Sequence, residues 1–228
     1  MTLEAVGRRF GVPAAGVAAL ARILELQAAD PAAPTTVRDV AAAVDRHLAD
    51  SLVALELPEV RGAGRIADLG AGAGWPGLAL AAALPHARVA LVESALRRCR
   101  YLAIAAADLP NAEVVHARAE DWPAGLGAND VVTARALAAL PVLCEYAAPL
   151  LAEGGVLVAW KGAVEPAEAA AGAAAAEILG LGPGAVHPVA PYPAAERRTL
   201  HVFRKIAPTP ARFPRRPGMA VKRPLGGG

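Results

Sequence analysis

Residues 65–80 read Arg65-Ile-Ala-Asp68-Leu-Gly70-Ala-Gly72-Ala-Gly74-Trp75-Pro-Gly77-Leu-Ala-Leu80, an apolar strand followed by an acid, a glycine-rich turn and the start of a helix. Glycine is required where the backbone takes a positive φ or lies against a ligand, and a helix that begins behind the turn offers free N–H groups. An ordinary surface turn can also be rich in glycine. Because hydrophobic runs at strand and helix periods flank these glycines, the stretch indicates a nucleotide-cofactor loop.

Two classes of cofactor fit this loop. The spacing Gly72-x-Gly74-x-x-Gly77 matches the dinucleotide pattern, with Glu93 near the distance expected for a ribose-binding acid. The frame that starts at Asp68 instead places a carboxylate at the end of the strand, as is usual in S-adenosylmethionine-dependent methyltransferases. A carboxylate there repels a pyrophosphate and tolerates an ammonium and a sulfonium. The sequence therefore favours S-adenosyl-L-methionine, with Asp68, Gly70, Gly72 and Gly74 as cofactor-binding residues.

The composition indicates one main domain. At 228 residues with 55% hydrophobic content, the chain can bury one full core. No apolar run reaches the roughly 18 residues of a membrane span, and the N-terminus has no apolar signal core, so we expect a cytoplasmic protein without membrane contact. Cys99 and Cys144 have no partner at metal-ligand spacing, so they are expected to be structural thiols, and no metal site is predicted. A monomer is the simplest expectation.

Positive charge is concentrated at the C-terminus. Residues 204–228 carry seven basic side chains and no acid, whereas the whole chain has a net charge of +2, so the rest of the chain carries −5. A basic, proline-rich extension on an acidic body is typical of an arm that contacts the phosphates of a nucleic acid. It is equally typical of a solvated disordered tail, and the charge alone does not choose between the two.

Hydrophobic periodicity predicts a helical cap followed by an α/β sheet. One helix is expected over 14–29, and a second starts near Thr35-Thr36, where a hydroxyl N-cap has Asp39 three residues on, and runs past His47 to Leu55. Strands are expected over 65–69, 88–92, 113–117, 130–134 and 155–160, and helices over 76–84, 94–107, 139–151 and 166–179. This alternation predicts a mostly parallel sheet covered on both faces. Two last apolar runs, 186–190 and 199–203, have no helix between them and predict a closing antiparallel pair.

Charged residues follow each strand of the parallel part. Ligands of such sheets bind at the carboxyl ends of the strands. The residues found there are Asp68 with the glycines, Glu93, Arg118-Ala119-Glu120, Arg135 and Lys161. One charged residue at a strand end is commonly just solvated, but five such positions in register indicate a binding edge.

Several of these residues have expected roles toward adenosylmethionine. Glu93 can accept hydrogen bonds from the ribose hydroxyls, and Ala119 and Glu120 are expected beside the adenine. Asp68 is expected to hold the loop and the amino-acid end of the cofactor. Trp75 lies inside the glycine turn, where its ring would either wall the cofactor pocket or pack in the core.

The residues after the fourth strand of the parallel part indicate the methyl acceptor. Amino-group methyltransferases commonly have an Asn-Pro-Pro-Tyr type motif at this place, whereas this chain has Thr133-Ala-Arg135-Ala. An exocyclic amine must lose a proton, but guanine N7 already has a free lone pair and needs only alignment with the methyl group. Arg135 and Lys161 can hold guanine O6 or neighbouring phosphates. The alternative for both is ordinary surface charge.

A set of motifs resembles the bacterial small-subunit ribosomal RNA guanine-N7 methyltransferases, also called glucose-inhibited division protein B. Each motif alone is weak, and together they are specific. The matching pieces, which span most of the chain, are His47-Leu-Ala-Asp50-Ser51, Asp68-Leu-Gly-Ala-Gly-Ala-Gly-Trp-Pro-Gly77, Arg118-Ala-Glu120, Ala134-Arg135-Ala136, Lys161-Gly162 and Ala207-Pro-Thr-Pro-Ala-Arg-Phe-Pro-Arg-Arg-Pro-Gly218.

The resemblance implies a Rossmann-like class I methyltransferase with a seven-stranded, mostly parallel sheet and an antiparallel C-terminal strand. It implies that adenosylmethionine is used to methylate N7 of guanine 527, in the 530 loop of 16S rRNA. The cofactor would be lined by Gly70, Trp75, Ala119, Glu120 and Arg135. Activity would depend on Arg118, Arg135 and an arginine before the last strand, and we add Lys161 as a candidate. We divide the chain into a helical cap over 1–60, a cofactor-binding domain over 61–205 and a basic tail over 206–228.

Two positions depart from the family pattern. Position 75 is usually Leu or Phe, so Trp75 can alter the shape of the pocket. The last strand begins Glu196-Arg197-Arg198-Thr-Leu200 where the family more often has Glu-Arg-His-Leu, so Arg197 and Arg198 are alternatives for the active-site arginine, with Arg198 as our choice. His47 is either a packed helix residue or a functional one.

Three other functions fit parts of the pattern: a small-molecule methyltransferase, an NAD-dependent oxidoreductase, and a ribosome-binding factor with a vestigial pocket. An RNA target must present an unstacked guanine, because N7 lies in the deep groove of an A-form helix. The sequence does not decide whether naked rRNA, an assembly intermediate or the small subunit is the substrate.

Overall fold

A seven-stranded sheet forms the centre of the fold. The computed structural model describes residues 1–226. Its strands are β1 Arg65–Leu69, β2 Arg88–Glu93, β3 Ala112–His116, β4 Asn129–Arg135, β5 Leu151–Lys161, β6 Ala185–Val189 and β7 Arg198–Arg204. They lie in the order β3-β2-β1-β4-β5-β7-β6, and β7 is antiparallel to both of its neighbours. The predicted mostly parallel sheet with an antiparallel last strand is confirmed.

Helices precede and connect the strands. They are α1 Leu3–Phe10, α2 Ala14–Ala29, α3 Val40–Ala43, α4 Asp50–Leu52, α5 Pro58–Arg61, α6 Gly77–Ala83, α7 Leu96–Ala105, α8 Leu140–Ala147, α9 Pro166–Ile178 and α10 Met219–Lys222. A π-helical stretch, Val44–Ala49, joins α3 to α4, and a 3₁₀ turn, Val53–Glu56, continues α4. One irregular helix therefore runs from 40 to 56, and π-helical turns of this kind occur frequently at functional sites.

Alternate residues of the strands point into two separate cores. Ile66, Val89 and Val131 pack with residues of α2, α6 and α7 on one face of the sheet. Ala67 and Val132 pack with residues of α8 and α9 on the other face. Since side chains alternate across a strand, helices cover both faces, as the β-α alternation predicts.

The N-terminal helices share the first of these cores. Helix α1, which the periodicity analysis missed, places Val6 and Phe10 there. Thr2 caps its first turn by accepting a hydrogen bond from Ala5 N, and Gly11 ends it with φ 71°. A hydroxyl before a helix and a glycine after it are visible in the sequence, so this helix had a usable signal. The apolar side chains of these helices belong to the same core as those of the sheet. The division of residues 1–60 as a separate helical cap therefore stays a prediction.

Two predicted helix ends were wrong. The second helix begins at Val40 with Asp39 as its N-cap, where the Asp39 carboxylate accepts from Ala42 N at 2.7 Å. The Thr35 hydroxyl instead accepts from Val37 N in a turn. Helix α8 ends at Ala147 because Pro149, two residues on, has no N–H to donate to a carbonyl of the preceding turn.

The C-terminal tail, residues 206–226, folds back onto the body. Phe213 and Ala220 are buried, at 8% and 1% exposure. The Arg215 guanidinium forms a two-pronged ion pair with the Glu145 carboxylate on α8. A solvated disordered tail does not describe this segment up to residue 226, and its contact with phosphates stays a prediction. Gly227 and Gly228, the end of the predicted basic extension, lie outside the described residues.

Residues 1–226 contain no helix that is both long and apolar enough to cross a membrane. The same residues contain no group of three or more His, Cys, Asp or Glu side chains placed to hold a metal ion. Cys99 and Cys144 are buried free thiols, and burial raises the pKa of Cys144 to about 12.

Candidate active site

The turn after β1 brings bare backbone to the carboxyl edge of the sheet. Gly70, Gly72 and Gly74 adopt φ values of 65°, 55° and 96°, which favour glycine. A Cβ on Gly70 would lie 2.7 Å from Leu137 Cδ1, and a Cβ on Gly74 would lie 2.1 Å from Leu78 Cδ1. The turn therefore requires glycine for its conformation and for space.

Glu93, at the end of β2, ties this turn to the neighbouring strand. Its carboxylate accepts hydrogen bonds from Gly72 N at 3.1 Å and from Ala95 N at 2.8 Å. Each carboxylate oxygen keeps a further lone pair. Glu93 can therefore hold the turn and still accept hydrogen bonds from a ligand.

Asp68, at the end of β1, is enclosed by protein. Its carboxylate accepts from Gly77 N, the first residue of α6, and from the Thr133 hydroxyl, both at 2.9 Å. Burial raises the pKa of Asp68 to about 6, although both hydrogen bonds favour its charged form. At 1% exposure, the residue fixes the glycine turn from below, so the part of its expected role that concerns the loop agrees with its contacts.

These two carboxylates occupy the N–H groups that a pyrophosphate would use. In dinucleotide-binding loops the phosphates lie against the turn and the N-terminus of the following helix. Here the N–H of Gly72 and the N–H of Gly77 each donate to a carboxylate. A pyrophosphate at this position would meet negative charge in place of donors.

An apolar cavity with a polar rim lies beside the turn. Its apolar walls are Leu69, Val92, Leu137 and Tyr146, and its rim includes Ala119 and the polar residues Ser94, Arg118 and Glu120. Apolar walls with a few polar groups suit a flat heteroaromatic ring. We call it the ring cavity. The structure thus brings the predicted residues after β3 to the same place as the glycine turn.

A second opening, which we call the basic cleft, lies across the residues that follow β4. It has a volume of about 480 Å³, and Ala136 lines it while the adjacent Leu137 lines the ring cavity. The two openings therefore share a wall. The charged side chains of the basic cleft are Arg46, Arg135, Lys161, Arg198 and one acid, Asp50.

Asp50 holds the two arginines of this cleft together. Arg135 Nη1 lies 3.0 Å from Asp50 Oδ2, and Arg198 Nε lies 3.4 Å from Asp50 Oδ1. Trp160 Nε1 donates to the Asp50 carbonyl at 2.7 Å, which fixes the helix against β5. Because Asp50 is 4% exposed, its charge is compensated mainly by these two guanidiniums.

The other basic candidates are placed differently. Lys161 lines the cleft, but its ammonium donates to Glu168 Oε1 at 2.6 Å and to the Ala138 carbonyl at 2.9 Å, so part of its charge is neutralised within the protein. Arg197 is exposed, with φ 50°, and does not line the cleft. Of the two alternatives at the start of β7, Arg198 is the one that the structure brings to the site.

His47 and Trp75 connect the cleft to the N-terminal helices. The Trp75 ring stacks on His47 with centroids 5.7 Å apart, and its Nε1 donates to Gln27 Oε1 at 3.1 Å. Trp75 is 4% exposed and its side chain lines neither opening, so its ring is a core residue here. His47 Nε2 lies 2.9 Å from the Thr35 hydroxyl. Burial and the Arg135 charge lower the pKa of His47 to about 4.

Sequence reasoning gave no role to three residues that the structure places at the site. Asp50 was quoted only inside a motif, and its role depends on arginines that lie on distant strands. Gln27 was assigned only to a helical stripe, yet it is fully buried and bonded to Trp75 and to the Ala73 carbonyl. Thr133 had no signal, because its contact with Asp68 depends on the register of β1 and β4.

Known proteins with similar sequence and structure point to one family. The GidB family model, described as rRNA small subunit methyltransferase G, matches residues 27–191. A ribosomal RNA small subunit methyltransferase G from Rubrobacter xylanophilus is 42% identical over 80% of this chain and 73% of that protein. A protein of the same name from Chloroflexus aggregans is 42% identical over 84% of this chain and 82% of its own length. The crystal structure of a predicted O-methyltransferase from Agrobacterium tumefaciens matches at a TM-score of 0.53 and 26% identity, covering 70% of this chain and 80% of that chain.

Proposed function

Because the chain belongs to the GidB family, the rRNA small subunit methyltransferases G, we propose that it transfers a methyl group from S-adenosylmethionine to N7 of a guanine in 16S rRNA. The enzyme is an rRNA methyltransferase. The guanine and its N7 atom are those that the sequence resemblance implies. One observation carries this assignment: the ring cavity beside the carboxylate-held glycine turn shares a wall with the basic cleft.

The residues around the glycine turn fit adenosylmethionine. The bare backbone of Gly70, the remaining lone pairs of Glu93 and the apolar walls of the ring cavity suit a turn-bound adenosine. We assign the ribose to Glu93, and the adenine to the ring cavity beside Ala119 and Glu120. When bound, the cofactor supplies a methyl group on a positively charged sulfur. The two buried carboxylates at the turn, Asp68 and Glu93, favour that positive charge.

The basic cleft suits a guanine acceptor that needs no proton removed. The N7 lone pair would form the new bond to the methyl carbon while the carbon–sulfur bond breaks and leaves its electron pair on sulfur, so the positive charge would pass from the donor to the base. His47, with a pKa of about 4, is neutral near pH 7, but its Nε2 is engaged by Thr35. The Asp50 carboxylate is held by two guanidiniums. Alignment, with no general base, is therefore the main contribution of this site.

The arginines of the cleft would bind and orient the RNA. Arg135 ends β4 beside the glycine turn, and Arg198 lies next to it through their shared partner Asp50. A guanidinium fork matches guanine O6 and phosphate oxygens. Arg118, exposed at the rim of the ring cavity, and Lys161 add positive charge on either side. We assign Arg135 and Arg198 to the target nucleotide and the other two to its neighbours.

The alternative functions differ in what the site offers. An NAD-dependent oxidoreductase is disfavoured, because the N–H groups of Gly72 and Gly77 are already bonded to carboxylates. A small-molecule methyltransferase would not need four basic side chains against one acid in its acceptor cleft. A ribosome-binding factor with a vestigial pocket predicts rRNA affinity and no methyl transfer.

Mapping of 7-methylguanosine in 16S rRNA tests the assignment. Cells without the gene should lose one N7-methyl signal, in the 530 loop, and the gene should restore it. The Arg135→Ala variant should fold and fail to restore it, because its guanidinium orients the target base. An unchanged signal in cells without the gene would reject the N7 assignment. Comparing naked rRNA, assembly intermediates and small subunits as substrates would then identify the physiological one.

The same proposal includes three expectations about the location of the protein, its oligomeric state and its N-terminal segment. We expect the protein to act as a cytoplasmic monomer. We expect residues 1–60 to cap the sheet beside the basic cleft, since His47 and Asp50 belong to that segment and line the cleft. Sedimentation of the purified protein would test the monomer directly.

A further inference from the structure

The C-terminal tail contacts the rim of the ring cavity. Glu120, on the cavity rim, accepts a hydrogen bond from Gly218 N at 2.9 Å, 98 residues along the chain. Residue 218 follows the anchor residue Arg215 by one short turn, in which Met219 N donates to the Arg216 carbonyl. The tail therefore contacts the side chain that the cofactor assignment places beside the adenine.

Arg215 is the anchor of this contact. Its Nε and Nη2 donate to the two oxygens of the Glu145 carboxylate at 2.6 and 2.5 Å, and Nη2 also donates to the Arg223 carbonyl at 2.8 Å. Glu145 is 1% exposed, and its only ion-pair partner among the described residues is this guanidinium. A two-pronged pair to a buried carboxylate fixes distance and orientation together.

The anchored partner also bears on the cavity. Glu145 lies on α8, and the next residue, Tyr146, forms an apolar wall of the ring cavity. Phe213, before Arg215 in the chain, packs into the hydrophobic core that Tyr146 also contacts. Ala220, after Arg215, is buried on α10, which packs against α8. The tail thus reaches two walls of the cavity, one through Glu120 and one through α8.

We propose that the tail is part of the cofactor site: Arg215 positions Gly218 against Glu120 and α8 against the adenine, so that affinity for adenosylmethionine depends on the Arg215 anchor. This inference rests on the proposed function, because it takes the ring cavity as the adenine site. Arg215 is a positioning residue, since it acts through Glu120 and Glu145 and touches neither substrate. The tail therefore has a task in cofactor binding besides any contact of its exposed basic residues with RNA.

Calorimetry with S-adenosylhomocysteine tests the proposal on the full chain. Arg215→Ala should raise the Kd roughly three- to tenfold, the factor that follows from losing one hydrogen bond that orders a ligand-binding side chain. Arg215→Lys keeps the charge without the two-pronged geometry and should fall between the variant and the wild type. Arg216→Ala is the matched control: its side chain is exposed and, among residues 1–226, has no ion pair or hydrogen bond, so its Kd should equal that of the wild type.

Kinetics separate positioning from a general loss of structure. In Arg215→Ala the KM for adenosylmethionine should rise while kcat at saturating donor stays within about twofold, because the variant removes binding rather than transition-state contacts. A partly unfolded enzyme would lose kcat in proportion to its folded fraction. The effect of Arg215→Ala should also shrink in a Glu120→Ala background, since the two residues act on one contact.

Unpaired Glu145 could unfold the single variant, because breaking a buried pair is costly. The double variant Arg215→Met with Glu145→Gln removes both charges. It should fold, and it should bind S-adenosylhomocysteine more weakly than the wild type does. An unchanged Kd in any folded Arg215 variant overturns the proposal. If wild-type protein binds no S-adenosylhomocysteine, the proposed function itself fails, which is a different result from equal binding by wild type and variant.

Discussion

Asp50 is the residue that makes the basic cleft a single structure. Two guanidiniums would repel each other, yet Arg135 and Arg198 both lie within 3.4 Å of its carboxylate. The carboxylate in turn is too buried to carry its charge without them. The sequence did not reveal this role of Asp50, because its partners, Arg135 on β4 and Arg198 on β7, lie 85 residues or more along the chain.

Replacing Asp50 by Asn should damage the cleft strongly. The two arginines lose their common partner, so we expect methyl transfer to fall by at least about tenfold and the free energy of unfolding to fall by about 2 kcal/mol or more. Methyl transfer to small subunits and urea unfolding measure the two effects. Asp45→Asn is the control, since Asp45 lies on the same helix and its carboxylate pairs, within residues 1–226, only with the N-terminal ammonium, where a loss below about 1 kcal/mol is expected. Equal effects of both substitutions would contradict this role for Asp50.

His47 should make stability depend on pH. Its folded pKa is about 4 against a usual 6.5, so between these values the unfolded chain binds the extra proton. The contribution of His47 is therefore fully present above pH 6.5 and is lost as the pH falls toward 4. Asp68 has the opposite sign, since its pKa is raised from 3.8 to about 6 and it binds its extra proton in the folded state.

The His47→Gln variant isolates this contribution. The wild type should lose more unfolding free energy than the variant when the pH is lowered from 7 to 5, because only the wild type has the histidine to protonate. Asp68 is present in both proteins, so its effect cancels in the difference. Urea unfolding at the two pH values measures this, and parallel losses in both proteins would show that His47 is not the group responsible.

The glycine turn is the element on which cofactor binding depends. Gly74→Ala would place a Cβ 2.1 Å from Leu78 Cδ1 at a backbone φ of 96°. Gly127→Ala is a matched control, with φ 61° and nothing within 4 Å of its Cβ. Both substitutions place alanine at a positive φ, and Gly74→Ala should lose about 1 to 3 kcal/mol more unfolding free energy, because of overpacking and of its less favourable φ. It should also weaken binding of S-adenosylhomocysteine, whereas the control should not, and equal values would contradict the crowding seen at Gly74.

The elements themselves were largely predictable, because each strand has a strong local signal. The strand predicted over 65–69 is β1 to the residue, and the helix over 14–29 is α2. Helix ends depend on a single side chain, so Asp39 and Pro149 shifted the predicted ends by several residues. The candidate site was predictable only along strand ends. Contacts such as Asp50 with Arg198, or Gly218 with Glu120, join segments that no local pattern relates.

At the scale of the whole molecule, Gln27 joins the N-terminal helices to the glycine turn. This side chain on α2 donates to the Ala73 carbonyl and accepts from Trp75 Nε1. Gln27→Met would keep the volume and remove the hydrogen-bond partner of the buried Trp75 Nε1 and of the partly buried Ala73 carbonyl. We expect a loss of about 1 to 3 kcal/mol in unfolding free energy, together with weaker binding of the cofactor, because the turn loses its support. Urea unfolding and calorimetry measure the two quantities, and a stable variant with full affinity would show that the turn is held by the sheet alone.

A crystal structure of the protein grown with S-adenosylmethionine is the most direct measurement. The adenine should lie in the ring cavity between Leu137 and Tyr146, with the ribose hydroxyls at Glu93 and the methyl carbon facing the basic cleft beside Arg135. A donor bound away from the glycine turn, or one whose methyl group faces away from that cleft, would contradict methyl transfer to a base held by the two arginines.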